Sequence, residues 1–163
     1  MKKLSEPVSI ERADEHLDNV SDVVTLILKG HLLVEEAMYV AVQSKFPYPQ
    51  HLLDSKLRFA QLLSITKGLF FKDLHTQMWD AIQELNSVRN RLAHRLEPTI
   101  GVDELKRISF LVPLPEGVSL DHPEAANLIN AGLGSILSFL YYLPDTETNK
   151  SSNLTGANDA LSS

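Results

Sequence analysis

Asn86-Ser87-Val88-Arg89-Asn90-Arg91-Leu92-Ala93-His94-Arg95 closes the strongest helical pattern in the chain. The apolar positions Leu74, Met78, Ile82 and Leu85 lead through Arg89 to Leu92 in steps of four, four, three, four and three. That period marks one buried helical face. It predicts a helix from about Lys72 to Leu96, ended by Pro98. The decapeptide also packs three arginines, two asparagines and a histidine beside Trp79, Ile82, Leu85, Val88 and Leu92. A helix that only packs has little use for so many hydrogen-bonding groups. The apolar seam therefore speaks for the fold, and the polar residues set into it speak for function.

Working outward, the same period recurs. Val23, Val24, Ile27, Leu28, Leu32, Leu33, Ala37 and Met38 predict an amphipathic helix from about Asn19 to Gln43, with Asn19 or Ser21 as its cap. Ahead of it, Ser9 caps a short helix from Ile10 to Leu17. Pro47, Tyr48 and Pro49 stop the long helix. Another helix follows from His51 or Asp54 to Thr66, with Gly68 as its C-terminal cap. Beyond Pro98 the pattern loosens. Asp103 to Arg107 reads as a helical turn, Ile108 to Val112 as a short strand or buried link, and Pro113, Pro115 and Gly117 as a loop. A final helix over about 122–142 starts behind Asp121, and Gly132 and Gly134 suit it to close packing against a neighbour. Residues 145–163 hold almost no large apolar side chain and read as a disordered tail. The expected fold is all-α: one antiparallel helical bundle over residues 1–144.

Composition narrows the function. The chain has 163 residues, 44% of them hydrophobic, which suits one domain with a real core. It has no cysteine, which excludes disulfides and thiolate metal sites. No apolar run reaches the roughly 18 residues needed to span a bilayer. Lys2 and Lys3 have no apolar run behind them, as a signal peptide would. These features point to a soluble, cytoplasmic protein that does not enter the membrane. A net charge of −6 argues against broad nucleic-acid binding over the whole surface, but not against a small basic site.

Arginine, histidine and asparagine together suit phosphate chemistry. Arg89, Arg91 and Arg95 offer planar donor forks that match a phosphate. His94 can take or give a proton, and Asn86 or Asn90 can orient either group. No carboxylate cluster accompanies them, and no cofactor is implied. RNA cleavage by a 2′-hydroxyl, with arginine stabilising the developing charge, is the matching metal-free reaction. Arg89 and His94 point about 140° apart on an ideal helix, so two copies of the chain would build a shared site better than one. The alternative places Arg89 in a structural ion pair with Glu35 or Glu36. His31 and Glu35 stand four apart, a metal-ligand spacing, but two ligands do not make a site. Trp79 and Phe59 read as core.

Arg89-Asn90-Arg91-Leu92-Ala93-His94 resembles the Arg–polar–three residues–His motif of the HEPN superfamily (higher eukaryotes and prokaryotes nucleotide-binding domains). The order around it is similar as well: Leu32-Leu33-Val34-Glu35-Glu36-Ala37 on an early helix, Leu57-Arg58-Phe59-Ala60 on a middle one, and the motif late in the next. The likeness covers about residues 20–142. It implies an all-α bundle that commonly dimerises. Many members are metal-independent ribonucleases of toxin–antitoxin, phage-defence and CRISPR systems. Carried over, Arg89 and His94 form the catalytic pair and Asn90 fills the polar position. Arg91 and Arg95 would bind substrate, with Glu35 and Asn86 in support. One sub-pattern of the family has Tyr two residues after the His; Leu96 stands there, so modification at that position is not implied. RNA is the implied substrate, and an antitoxin or regulatory protein the implied partner. A non-catalytic dimeric interaction module on the same bundle is the other reading.

Overall fold

The longest helix starts at Asp22. Its carboxylate accepts hydrogen bonds from the backbone N–H of Thr25 at 2.8 Å and from the Thr25 hydroxyl. Those bonds hold the Asp22 carboxyl below the usual carboxylate range, as befits an N-cap. Asn19, one of the two expected caps, does something else. At φ 61° it occupies the left-handed region, which asparagine tolerates, and it turns the chain out of the preceding helix.

The computed structural model describes residues 10–94, 100–109 and 123–144. In order come α1 (Ile10–Leu17), α2 (Val23–Gln43), α3 (Gln50–Asp54), α4 (Phe59–Phe70), a 3-10 turn (Asp73–His75), α5 (Thr76–His94), α6 (Val102–Ile108) and α7 (Pro123–Tyr142). No strand occurs among the described residues, and the all-helical expectation stands. No helix among them is long and apolar enough to cross a membrane. The expectations for Ser9, Arg95, Leu96, Pro98, the 110–121 segment and the 145–163 tail fall outside the described residues.

Several boundaries differ from expectation for local reasons. The helix expected over 51–66 is two pieces, because the chain breaks at Lys56, which has φ 48°. Phe59 then opens α4, with the N–H of Arg58 bonded to the Gln61 side chain at 2.9 Å. Gly68 does not cap α4; it lies inside it, and the helix runs on to Phe70. Leu74 is not in the apolar seam: it sits in the 3-10 turn and is 89% exposed. Ile108 ends α6 rather than opening a strand, and it is fully buried.

Helix α2 packs against α1, α4, α5 and α7. Its Leu26, Ile27, Val34 and Met38 meet Trp79, Ile82 and Leu85 of α5 and Ile129, Leu133 and Ile136 of α7 in one core, all fully buried. Phe139 closes over the edge of Trp79, with ring centroids 5.0 Å apart. Gly30 lets α2 and α7 meet: a Cβ there would lie 2.5 Å from Leu133 Cδ2. Gly132 does the same for α6 and α7, since a Cβ would lie 2.7 Å from the backbone oxygen of Ile108. The expectation of close packing thus holds at Gly132. At Gly134 nothing lies within 4 Å.

The two glycines should therefore part company. Gly132→Ala forces a Cβ against the backbone of Ile108 and Ser109 and should lower stability by about 1–3 kcal/mol, like other overpacked sites. Gly134→Ala relieves the helix of a glycine and should raise stability by roughly 0.5–1 kcal/mol. Urea titration of both variants checks this, and equal effects would show that Gly132 has room to spare.

Candidate functional site

The polar residues of α5 meet α2 along one seam. Trp79, Ile82, Leu85 and Val88 fill the core side of α5, which turns Asn86 and Arg89 toward the edge of α2. There Asn86 Oδ1 lies 3.1 Å from Nε2 of His31. Asn90 Nδ2 donates to the same oxygen at 3.5 Å. Asn90 Oδ1 in turn accepts from Arg89 Nη1 at 3.2 Å. A chain of bonds thus runs from a buried imidazole to a half-buried guanidinium.

His31 is 3% exposed. Its ring stacks on Phe59 of α4, with centroids 4.2 Å apart and planes inclined at 25°. Burial pushes its pKa down; the Asn86 bond works the other way, and the Arg89 charge adds a smaller push down. Its Nδ1 is buried with no partner. Such a group costs about 1–3 kcal/mol against a satisfied one. Burial likewise raises the pKa of Glu35, and the Arg89 charge partly offsets the rise. Tyr39 is raised too, by burial first and then by the charge of Glu35, while its hydroxyl donates to the backbone oxygen of Leu57 at 3.4 Å.

The site residues expected from sequence separate into groups. Arg89, Asn90, Asn86 and Glu35 come together. His94 does not join them: it is exposed at the last residue of α5, about 140° around the helix from Arg89. Arg91, expected to bind substrate, is half-buried and ion-paired with Glu104 of α6, with a longer bond to Ser87 Oγ at 3.4 Å. Glu36 is taken by Arg12 at 2.8 Å, so Glu35 is the carboxylate that senses Arg89. Arg89 belongs to none of the ion pairs among the described residues. Phe59 and Trp79 are core, as expected.

His31 and Tyr39 were the residues that spacing did not single out for this seam. The signal was present: His31, Glu35 and Tyr39 recur every four residues and share a face of α2. Read alone, the first two have a metal-ligand spacing but do not make a site. Among the described residues no group of three or more His, Asp or Glu side chains is placed to hold one, and His31 Nε2 is already engaged with Asn86.

An apolar stripe borders the cluster. Val24, Leu28 and Leu32 of α2 are 37%, 40% and 61% exposed. They span an arc of about 80°, and Glu35 falls inside it. Comparison with family models, curated proteins and solved structures finds no match in any of the three.

Buried His31 and half-buried Glu35 make opposite predictions for pH. The folded chain favours neutral His31, so its contribution is full above the ordinary value of 6.5 and is lost as pH falls through and below it. It also favours protonated Glu35, whose contribution is present below the ordinary 4.5 and is lost as pH rises through the raised folded value. Melting curves from about pH 8 to about pH 5 should therefore show His31→Phe catching up with the parent protein on acidification. Parallel curves would mean that His31 carries no such linkage.

Proposed function

We propose that this chain is a HEPN-like homodimeric ribonuclease that cleaves RNA without a metal ion. Arg89 stabilises the phosphate charge and His94 moves the proton. The observation that carries the reading is the state of Arg89. Its guanidinium is oriented by a neutral amide, at 3.2 Å from Asn90 Oδ1, and is in no ion pair among the described residues. An arginine so held keeps most of its donor fork for an anion. The surrounding groups, two carboxamides, an imidazole and one half-buried carboxylate, are not the several carboxylates that a two-metal nuclease uses.

In the reaction the ribose 2′-oxygen attacks the adjacent phosphorus. The P–O2′ bond forms, the P–O5′ bond breaks, and the products are a 2′,3′-cyclic phosphate and a 5′-hydroxyl. His94 takes the 2′-hydroxyl proton, and the leaving 5′-oxygen takes a proton from water. Arg89 meets the charge that builds on the non-bridging oxygens.

A second copy resolves the 140° problem. An isologous contact across the Val24–Leu28–Leu32 stripe would bury exposed apolar surface beside Glu35 and bring the arginine of one chain toward the histidine of the other. The other reading, a dimeric module without chemistry, draws on Arg91, which is committed to Glu104, and on the net charge of −6.

His94→Ala should abolish RNA cleavage without loss of helical signal, because the side chain is exposed at a helix end. Arg89→Ala should also abolish it and raise the Glu35 pKa further, because the Arg89 charge partly offsets the effect of burial there. Arg89→Lys should not rescue cleavage. Activity should survive EDTA and leave cyclic phosphate ends. A parent protein as inert as His94→Ala on diverse RNAs would favour the module instead. Leu32→Glu should turn a sedimenting dimer into a monomer while leaving the fold intact; a dimer that tolerates it uses another face.

A further inference from the structure

His31 has no part in the chemistry above, yet it is the most constrained polar side chain at the seam. The Phe59 stack fixes its ring plane. Its Nε2 faces a carbonyl oxygen, Asn86 Oδ1, at 3.1 Å. Facing an acceptor, Nε2 must carry the proton, so the neutral ring leaves Nδ1 bare and buried.

We propose that His31 is a positioning residue for Arg89, acting through the carboxamides of Asn86 and Asn90. The Nε2 proton sets the Asn86 amide with its oxygen inward. That oxygen then also accepts from Asn90 Nδ2 at 3.5 Å. With its nitrogen turned to Asn86, Asn90 presents its oxygen to Arg89 Nη1 at 3.2 Å. Were the Asn90 amide reversed, two sets of donors would face each other and the guanidinium would be released. One proton on a buried ring thus decides the orientation of two amides and, through them, of the arginine.

The inference rests on Arg89 as the anion-binding group for its consequence in catalysis, but not for its geometry. Three variants separate the roles of the ring. His31→Phe keeps the stack and removes the proton. His31→Gln can place an amide N–H near the former Nε2. His31→Asn can place one only near Nδ1. Long-range proton–nitrogen NMR on the full-length parent protein should show the Nε2-protonated tautomer. The Asn86 and Asn90 side-chain amide signals and the Arg89 guanidinium signal should move in His31→Phe and His31→Asn and return toward the parent in His31→Gln. In the cleavage assay the same order should appear in kcat, with a loss of roughly 100-fold for His31→Phe as expected for a misplaced catalytic group, and little change in KM. An Nδ1-protonated ring in the parent protein would overturn the proposal, as would unmoved Asn90 and Arg89 signals in a folded His31→Phe. If His31→Phe fails to fold, the tautomer and the contrast between Gln and Asn decide. If the parent cleaves no RNA, the ribonuclease reading fails alone, and the NMR result still settles the positioning.

Discussion

Helix α2 must lie against four neighbours at once, and two adjacent residues serve different neighbours. Gly30 gives up its side chain so that Leu133 of α7 can sit against the backbone. His31, about 100° further around the helix, stacks on α4 and bonds to α5. A side chain at position 30 would push α7 away or force Leu133 from its place. A charged ring at position 31 would be buried beside the Arg89 guanidinium. The packing of the bundle and the neutrality of the imidazole are therefore one constraint seen from two sides.

The seam between α2 and α5 carries most of the unusual chemistry because it sits at the edge of that constraint. Deeper in, Trp79, Ile82 and Leu85 are fully buried. Further out, Asn90 and His94 stand in water. Arg89 lies between, half-buried, where its charge is screened less than a surface charge. Its influence reaches both His31 and Glu35. Its guanidinium is tethered by a neutral amide, Asn90 Oδ1, at 3.2 Å. The end of a helix is electrostatically unfavourable for a phosphate at its C-terminus, so any anion drawn there is drawn by the side chains.

How far this was legible in the sequence depends on range. The long helices could be read because apolar period and the Pro47–Pro49 stop are local properties, and the all-α class followed. The split at Lys56 was not legible, since a left-handed residue other than glycine or asparagine leaves no compositional mark. Leu74 and Leu32 were assigned to the core by spacing, yet are 89% and 61% exposed; periodicity gives a face but not what covers it. The polar decapeptide was conspicuous by composition. That Arg91 belongs to Glu104 and that Asn86 belongs to His31 depends on tertiary contacts between residues 13 and 55 apart in sequence, and those no local pattern encodes.

The central claim is that Arg89 of one chain works with His94 of another. Mixing Arg89→Ala with His94→Ala under conditions of subunit exchange tests it directly. Each variant is inactive alone, but a mixed dimer restores one intact site of two. Random exchange should therefore recover roughly a quarter of the parent cleavage rate. A mixture as inactive as its components, while mixed dimers demonstrably form, would contradict the account.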